Sequence, residues 1–327
     1  MEVAMSHVLV TGANGFVGRA LCRAFCDAGH TVTGLVRRGG GVEPGVSEWI
    51  EPSADFAALE AQWPAALAAD CVVHLAARVH VMHEVSEDPE AAFHATNVDG
   101  ALRVARAARR HGVRRFVFVS SIKAIAEADN GRPLTEDDAP APEDAYGRSK
   151  LAAEQALVRY GRESGLEVVI VRPPLVYGPE VRANFLRLMD GIWRGMPLPL
   201  GAVRGRRSLV YVENLADALM RSAIDPRAAG QCFHVADTDA PTVAELCRAL
   251  GRHLEKPARL VPIPESLLRL AGRLTGRSAQ IDRLVGALQV DTTRIQTVLD
   301  WHAPHSTDEG LAATARWYRR TRGGSEC

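Results

Sequence analysis

The feature that most constrains this chain is a rhythm across its first half, where short β-branched apolar runs alternate with stretches of helical periodicity. The runs predict strands over residues 7–11, 31–36, 47–50, 71–75, 116–120 and 167–171, and helices over 16–28, 56–68, 89–111 and 143–163. Segments such as CVVHLAA and RFVFVSS are apolar almost throughout, as suits strands of a parallel sheet covered on both faces. Strand then helix, repeated, predicts an α/β fold built on a doubly wound parallel sheet.

After about Pro173 the rhythm breaks, and RPPLVYGP and GMPLPLGAVRG crowd proline and glycine into loops. SLVYVENLADALMRSAI and QCFHVA then offer further strand and helix. We therefore expect a first domain over 1–175, rejoined by about 208–236. Residues 176–207 and 237–327 are expected to form a smaller mixed domain that supplies one wall of a cleft.

The segment HVLVTGANGFVGRAL is a strand, a turn and a helix start, with Gly12, Gly15 and Gly18 spaced GxxGxxG. Glycines there permit a tight turn and a close backbone approach to a pyrophosphate, while the helix N-terminus offers free N–H groups and the positive end of its dipole. The end of the second strand decides which dinucleotide fits: an acidic side chain suits the ribose hydroxyl of NAD, an arginine the 2′-phosphate of NADP. TVTGLVRRGG places Val36 where the acid is expected, with Arg37 and Arg38 next, so NADP(H) is favoured and NAD(H) is the alternative.

Charge removes several other classes. Lysine plus arginine and aspartate plus glutamate both total 39, so a net charge of zero gives no bulk attraction to nucleic acid or an anionic membrane. ALRVARAARRHGVRR carries six arginines, but the acidic stretches EVSEDPE and TEDDAPAPED lie nearby. No apolar run approaches the roughly 18 residues of a membrane span, and the first residues lack a signal-peptide pattern, so a cytoplasmic location is expected. The cysteines at 22, 26, 71, 232, 247 and 327 show no CxxC spacing, which suggests neither zinc nor disulfides. His74, His80, His83 and His94 lack metal-ligand spacing, and no metal is expected, although His80 or His83 could border a substrate.

Tyr146 and Lys150 are four apart at the start of a predicted helix and so share a face. An ammonium beside a phenol favours phenolate, lowering a tyrosine from about 10 toward neutrality, where it can exchange a proton with a substrate hydroxyl. Ser121 ends the strand RFVFVSS and offers a hydroxyl to the same oxygen. Only three lysines, Lys123, Lys150 and Lys256, stand against 36 arginines. That skew makes the two near this constellation notable, since ammonium and guanidinium are not interchangeable.

The glycine turn, Asn97 in NVDG, the SS pair and YGRSK, in this order and spacing, resemble the extended short-chain dehydrogenase/reductase family, in its branch of nucleotide-sugar epimerases, dehydratases and reductases. HLAA, RPPLVYGP, RRSLVYVENLADAL and DTTRIQTVLDW add to the resemblance, which spans about residues 6–320. It implies a Rossmann-type fold with Tyr146 as general acid/base, Lys150 on the nicotinamide ribose, Ser121 on the reacting sugar oxygen and Asn97 supporting them. The dinucleotide is then expected against Gly12, Asn14, Gly15, Phe16, Val17, Gly18, Arg37, Ala76, Asn97, Tyr146, Lys150 and Pro173. Ser121, Lys123, Tyr146, Asn184 and Arg207 are the expected contacts of a UDP-linked sugar. A homodimer through two long helices is also implied.

Dehydratases of this branch place an aspartate and a glutamate after the active-site hydroxyl residue, whereas this chain has Ile122 and Lys123. AARVHVMHE and SSIKA resemble bacterial polysaccharide-cluster reductases of UDP-4-keto-6-deoxy-N-acetylhexosamines. The expected activity is therefore NADPH-dependent reduction at C4 of such a sugar. The alternatives are a UDP-hexose 4-epimerase with tightly held NAD, and a non-catalytic dinucleotide sensor.

Overall fold

A computed structural model describes residues 5–79, 88–276 and 278–323. Its strands are β1 (His7–Thr11), β2 (Thr31–Val36), β3 (Ser47–Ile50), β4 (Cys71–His74), β5 (Arg115–Val119), β6 (Glu167–Arg172), β7 (Leu175–Tyr177), β8 (Leu209–Tyr211) and β9 (Cys232–His234). Seven form one sheet in the order β3-β2-β1-β4-β5-β6-β9, with every neighbour parallel. This is the doubly wound α/β architecture that the alternating pattern predicts.

Alternation within each strand fills both faces. Val8, Val10, Val117, Val119, Val169 and Val171 join the core beneath the helices Phe16–Asp27 and Val212–Ile224. Leu9, Val72, Phe116, Phe118, Val168 and Ile170 join the opposite core beneath Gly100–Arg110 and Ala145–Ser164. Each fully buried side chain of this size contributes about 1.5–3 kcal/mol relative to exposure, which explains why these strands carry so few polar residues. The chain runs outward in both directions from β1 and β4, so their carboxyl ends open the crevice in which such sheets bind ligands.

Two of the expected helices differ from the sequence expectation. The helix expected over 56–68 is Ala57–Ala61 followed by a 3₁₀ turn at Ala65–Leu67, because Pro64 cannot continue a helical hydrogen-bond ladder. The helix expected over 89–111 is two α-helices, Pro89–His94 and Gly100–Arg110, joined by a π-helical turn at Ala95–Asp99 that carries Asn97. Single π turns of this kind often mark functional sites. β8 pairs with β7 in a separate two-stranded sheet, while β9 adds to β6 at the edge of the main sheet.

The C-terminal part is helical, with Val243–His253, Glu265–Leu274, Ser278–Val285, Thr293–Leu299 and Thr307–Gly323. Backbone bridges Leu134↔Val290 and Arg207↔Leu288 tie it to the loops around the sheet. A Cβ on Gly205 would stand 2.5 Å from Val285 O, so only glycine lets these backbones approach so closely. Among the described residues no helix is long and apolar enough to cross a membrane.

Candidate functional site

At the carboxyl end of β1, Gly12 turns the chain at φ +73°, and its N–H donates to Leu35 O at 2.8 Å. Gly15 N–H closes the turn onto Gly12 O at 2.9 Å. A Cβ on Gly18 would fall 2.2 Å from Gly12 O, and one on Gly12 3.2 Å from Ala76 N, so the helix and the end of β4 pack directly on the turn. The helix starting at Phe16 has no side-chain cap, and the amides of Phe16, Val17 and Gly18 precede its first bond, from Arg19 N–H to Gly15 O. A close-packed turn below an uncapped helix N-terminus is a cradle that fits a dinucleotide pyrophosphate.

Neighbouring groups brace this cradle. Asn14 Nδ2 donates to Arg38 O at 3.1 Å and Gly40 O at 3.0 Å, fastening the turn to the loop after β2. At the end of β2, Val36 is buried while Arg37 is exposed. One carboxylate does reach this loop, since Glu48 of β3 accepts from Gly40 N–H at 2.7 Å. Thr11 Oγ1 accepts from Ala76 N–H at 3.1 Å and shares a hydrogen bond with His74 Nδ1 at 3.0 Å.

His74 lies among Phe56, Phe116 and Phe118, and burial, aided by the Lys150 charge, pushes it down to about 3. It is therefore a neutral core residue at neutral pH. Among the described residues no three His, Cys, Asp or Glu side chains gather as metal-holding groups do. His80 and His83 lie outside the described residues.

The second group lies beyond β5. Ser121 starts a 3₁₀ turn, Ile122–Ala124, and its Oγ accepts from Lys123 N–H at 3.3 Å. Ile122 N–H donates to Pro173 O at 3.0 Å, which fixes this turn against the end of β6. Tyr146 and Lys150 project from the first turns of Ala145–Ser164, whose N-cap is Asp144. Lys150 is 2% exposed and donates to Val119 O at 2.8 Å, with its Nζ 5.9 Å from the Tyr146 ring centre. Burial brings Lys150 down to about 8, against the opposing pull of Glu154.

The phenol behaves differently from the sequence expectation. Burial and then the Asp144 charge push Tyr146 up to about 12, while a hydrogen bond with Ser121 works in the other direction. In this arrangement the ammonium of Lys150 is directed at a backbone carbonyl, so desolvation outweighs the lowering expected from a lysine one helical turn away.

Asn97 is tied in on every polar atom. Its Oδ1 accepts from Arg78 N–H at 2.8 Å, and its Nδ2 donates to Arg78 O at 3.1 Å and Ser149 Oγ at 2.9 Å. Ser149 Oγ in turn donates to Tyr146 O at 2.8 Å, so the π turn braces the helix that carries the tyrosine.

Lys123 meets two carboxylates, Asp144 Oδ2 at 2.7 Å and Glu127 Oε1 at 3.0 Å. Arg283 approaches the same pair, and Arg207 donates to the backbone carbonyl of Arg283. Burial lowers the Arg207 guanidinium, with Glu127 and Asp129 opposing. Asn184 is exposed in the first turn of the helix Ala183–Trp193 and joins none of these hydrogen bonds among the described residues. Sequence reasoning missed Asp144, Glu127 and Ser149. The available signals were an aspartate N-cap just before YGRSK and a Lys123/Glu127 pair at i, i+4.

Residues 8–236 match the NAD dependent epimerase/dehydratase family. A UDP-glucose 4-epimerase of Vibrio cholerae is 39% identical over 94% of this chain and 94% of its own length. A dihydroflavonol 4-reductase of Zea mays is 31% identical over 68% of each chain. The crystal structure of a UDP-glucose 4-epimerase from Thermotoga maritima superposes with a TM-score of 0.78 at 23% identity, covering 97% of this chain and 99% of that one. The glycine cradle, the Ser121, Tyr146 and Lys150 group and these likenesses agree: the chain is an enzyme belonging to the NAD-dependent epimerase/dehydratase family.

Proposed function

We propose that the chain reduces a UDP-linked 4-keto-6-deoxy-hexosamine at C4 with NADPH, in the biosynthesis of a surface polysaccharide. The observation that carries this reading is the end of β2, where Val36 is buried and Arg37 is free to meet a 2′-phosphate. Ile122 and Lys123, where dehydratases carry an acidic pair, argue against loss of water. Gly12, Gly15, Gly18 and the first-turn amides of Phe16 and Val17 would hold the pyrophosphate, and Ala76 and Pro173 would line the same crevice. When bound, the nicotinamide supplies the hydride and its electron pair at C4.

The chain's own groups handle the proton. Tyr146, held protonated at neutral pH, donates to O4 as the carbonyl becomes a hydroxyl. Ser121 would hydrogen-bond the same oxygen, and Lys150 would bond the nicotinamide ribose. Arg207 and Asn184 would meet the diphosphate and nucleotide of the sugar. Two copies would pair through Gly100–Arg110 and Ala145–Ser164.

A second reading, a UDP-hexose 4-epimerase with tightly held NAD, draws on Glu48 at the loop after β2 and on the Vibrio cholerae relative. The purified protein separates the two. NADPH oxidation that depends on a UDP-4-keto-6-deoxy sugar is the expected result. Co-purified NAD with interconversion of UDP-hexoses and no NADPH consumption would overturn it in favour of the epimerase.

A further inference from the structure

Lys123 lies two residues beyond Ser121 in a chain that otherwise uses arginine for nearly all its cations. Its ammonium joins two carboxylates that come from different directions. Asp144 uses Oδ2 for Lys123 at 2.7 Å and Oδ1 for the N–H of Gly147 at 2.7 Å, so one carboxylate both caps the Tyr146 helix and holds the lysine. Glu127, its side chain 5% exposed, takes Lys123 at 3.0 Å and is also paired with Arg283 of Ser278–Val285. Arg283 also stands 3.9 Å from Asp144. The result is two cations and two anions in a partly desolvated cluster beside the phenol.

The Asp144 charge opposes ionisation of the Tyr146 phenol, and an uncompensated carboxylate in a desolvated setting is itself unfavourable. The compact ammonium, with three donors, can satisfy Asp144 and Glu127 together without displacing the helix cap. We propose that Lys123 is a positioning residue that, by neutralising Asp144, keeps the cap of the Tyr146 helix in place and limits the field of that carboxylate on the phenol. This rests on the acid/base role proposed above for Tyr146.

Other charged groups also face this end of the helix. Glu90 pairs with Arg148, His94 with Asp99, and Arg78 stacks over Phe93, whose ring abuts Tyr146. Lys150 and Glu154 follow on the helix itself, Glu154 being paired with Arg172. Each of these keeps its partner when Lys123 is replaced, and Glu127 keeps Arg283, so Asp144, left with Arg283 at 3.9 Å, is the group that loses its closest cation.

The test uses Lys123→Met, Lys123→Arg, Asp144→Asn and the double variant Lys123→Met/Asp144→Asn in the full-length protein loaded with NADP⁺. The titration of Tyr146 is followed by the NMR signal of ¹³Cζ-labelled tyrosine that Tyr146→Phe abolishes, alongside the pH profile of kcat. Lys123→Met should move the titration up by about one pH unit, Asp144→Asn should move it down, and Lys123→Arg should restore most of the wild-type position. In the Asp144→Asn background, removal of Lys123 should shift it much less, because the lysine acts through the aspartate.

An unmoved titration in Lys123→Met, or an equal shift in both backgrounds, would overturn the proposal. Denaturant unfolding supplies a readout independent of turnover: coupling between positions 123 and 144 supports the clamp, and additive effects contradict it. Tyr146→Phe with undiminished turnover would instead sink the acid/base role while the NMR titration and the unfolding cycle still report on the clamp.

Discussion

The cradle at the end of β1 is made almost wholly of backbone, whereas the group beyond β5 is made of buried, charged side chains. In the cradle, shape is set by where a Cβ is missing: Gly12, Gly15 and Gly18 let a strand, a helix and the end of β4 meet within contact distance. Beyond β5, the arrangement is set by compensation. Lys150 is balanced by Glu154, Glu154 by Arg172, and Asp144 by Lys123. The first region should thus tolerate charge changes and fail on added volume, and the second should tolerate small volume changes and fail on unpaired charge.

Glu154→Leu gives the largest expected effect on the second region. It leaves the Arg172 guanidinium, 7% exposed and bonded to Glu154 at 2.6 Å, without its partner, and should cost about 3–5 kcal/mol in urea unfolding. A loss below about 1 kcal/mol would mean that water or another group replaces the carboxylate.

Lys150→Arg keeps the charge but puts a larger planar head where one ammonium donates to Val119 O. Steady-state assays should show kcat down about 100-fold or more, with cofactor affinity less affected. Near-normal turnover would show that charge alone suffices at this position.

In the cradle, Gly18→Ala forces a Cβ to within 2.2 Å of Gly12 O and should cost about 2–3 kcal/mol along with dinucleotide affinity. Gly40→Ala, at φ +91° with no heavy atom within 4 Å of the added Cβ, should cost only about 1–2 kcal/mol of backbone strain. Equal losses of binding in the two variants would refute a cradle shaped by close packing. The smallest effect is expected from Arg37→Ala: NADPH affinity measured by fluorescence titration should fall roughly tenfold while NADH affinity holds.

The same contrast explains what could be read from the sequence. The cradle is local, so spacing within HVLVTGANGFVGRAL alone points to Gly12, Gly15 and Gly18. Tyr146 and Lys150 are legible for the same reason, since four residues on a helix define one face. The clamp is not, because Lys123, Asp144 and Arg283 are brought together only when the 3₁₀ turn, the helix cap and the helix Ser278–Val285 pack. The raised phenol also needed the structure, for the sequence shows that a lysine is near but not that it turns to Val119 O. Pro64 gave a visible warning that the helix over 56–68 would break, and the π turn at Asn97 gave none, because π geometry has no simple residue pattern.

Proton donation by Tyr146 at C4 is tested by the turnover of Tyr146→Phe beside wild type, with dinucleotide affinity measured on the same preparations. The prediction is a loss of kcat of about 10²–10⁴-fold with dinucleotide affinity nearly unchanged. Turnover within a few-fold of wild type would contradict it.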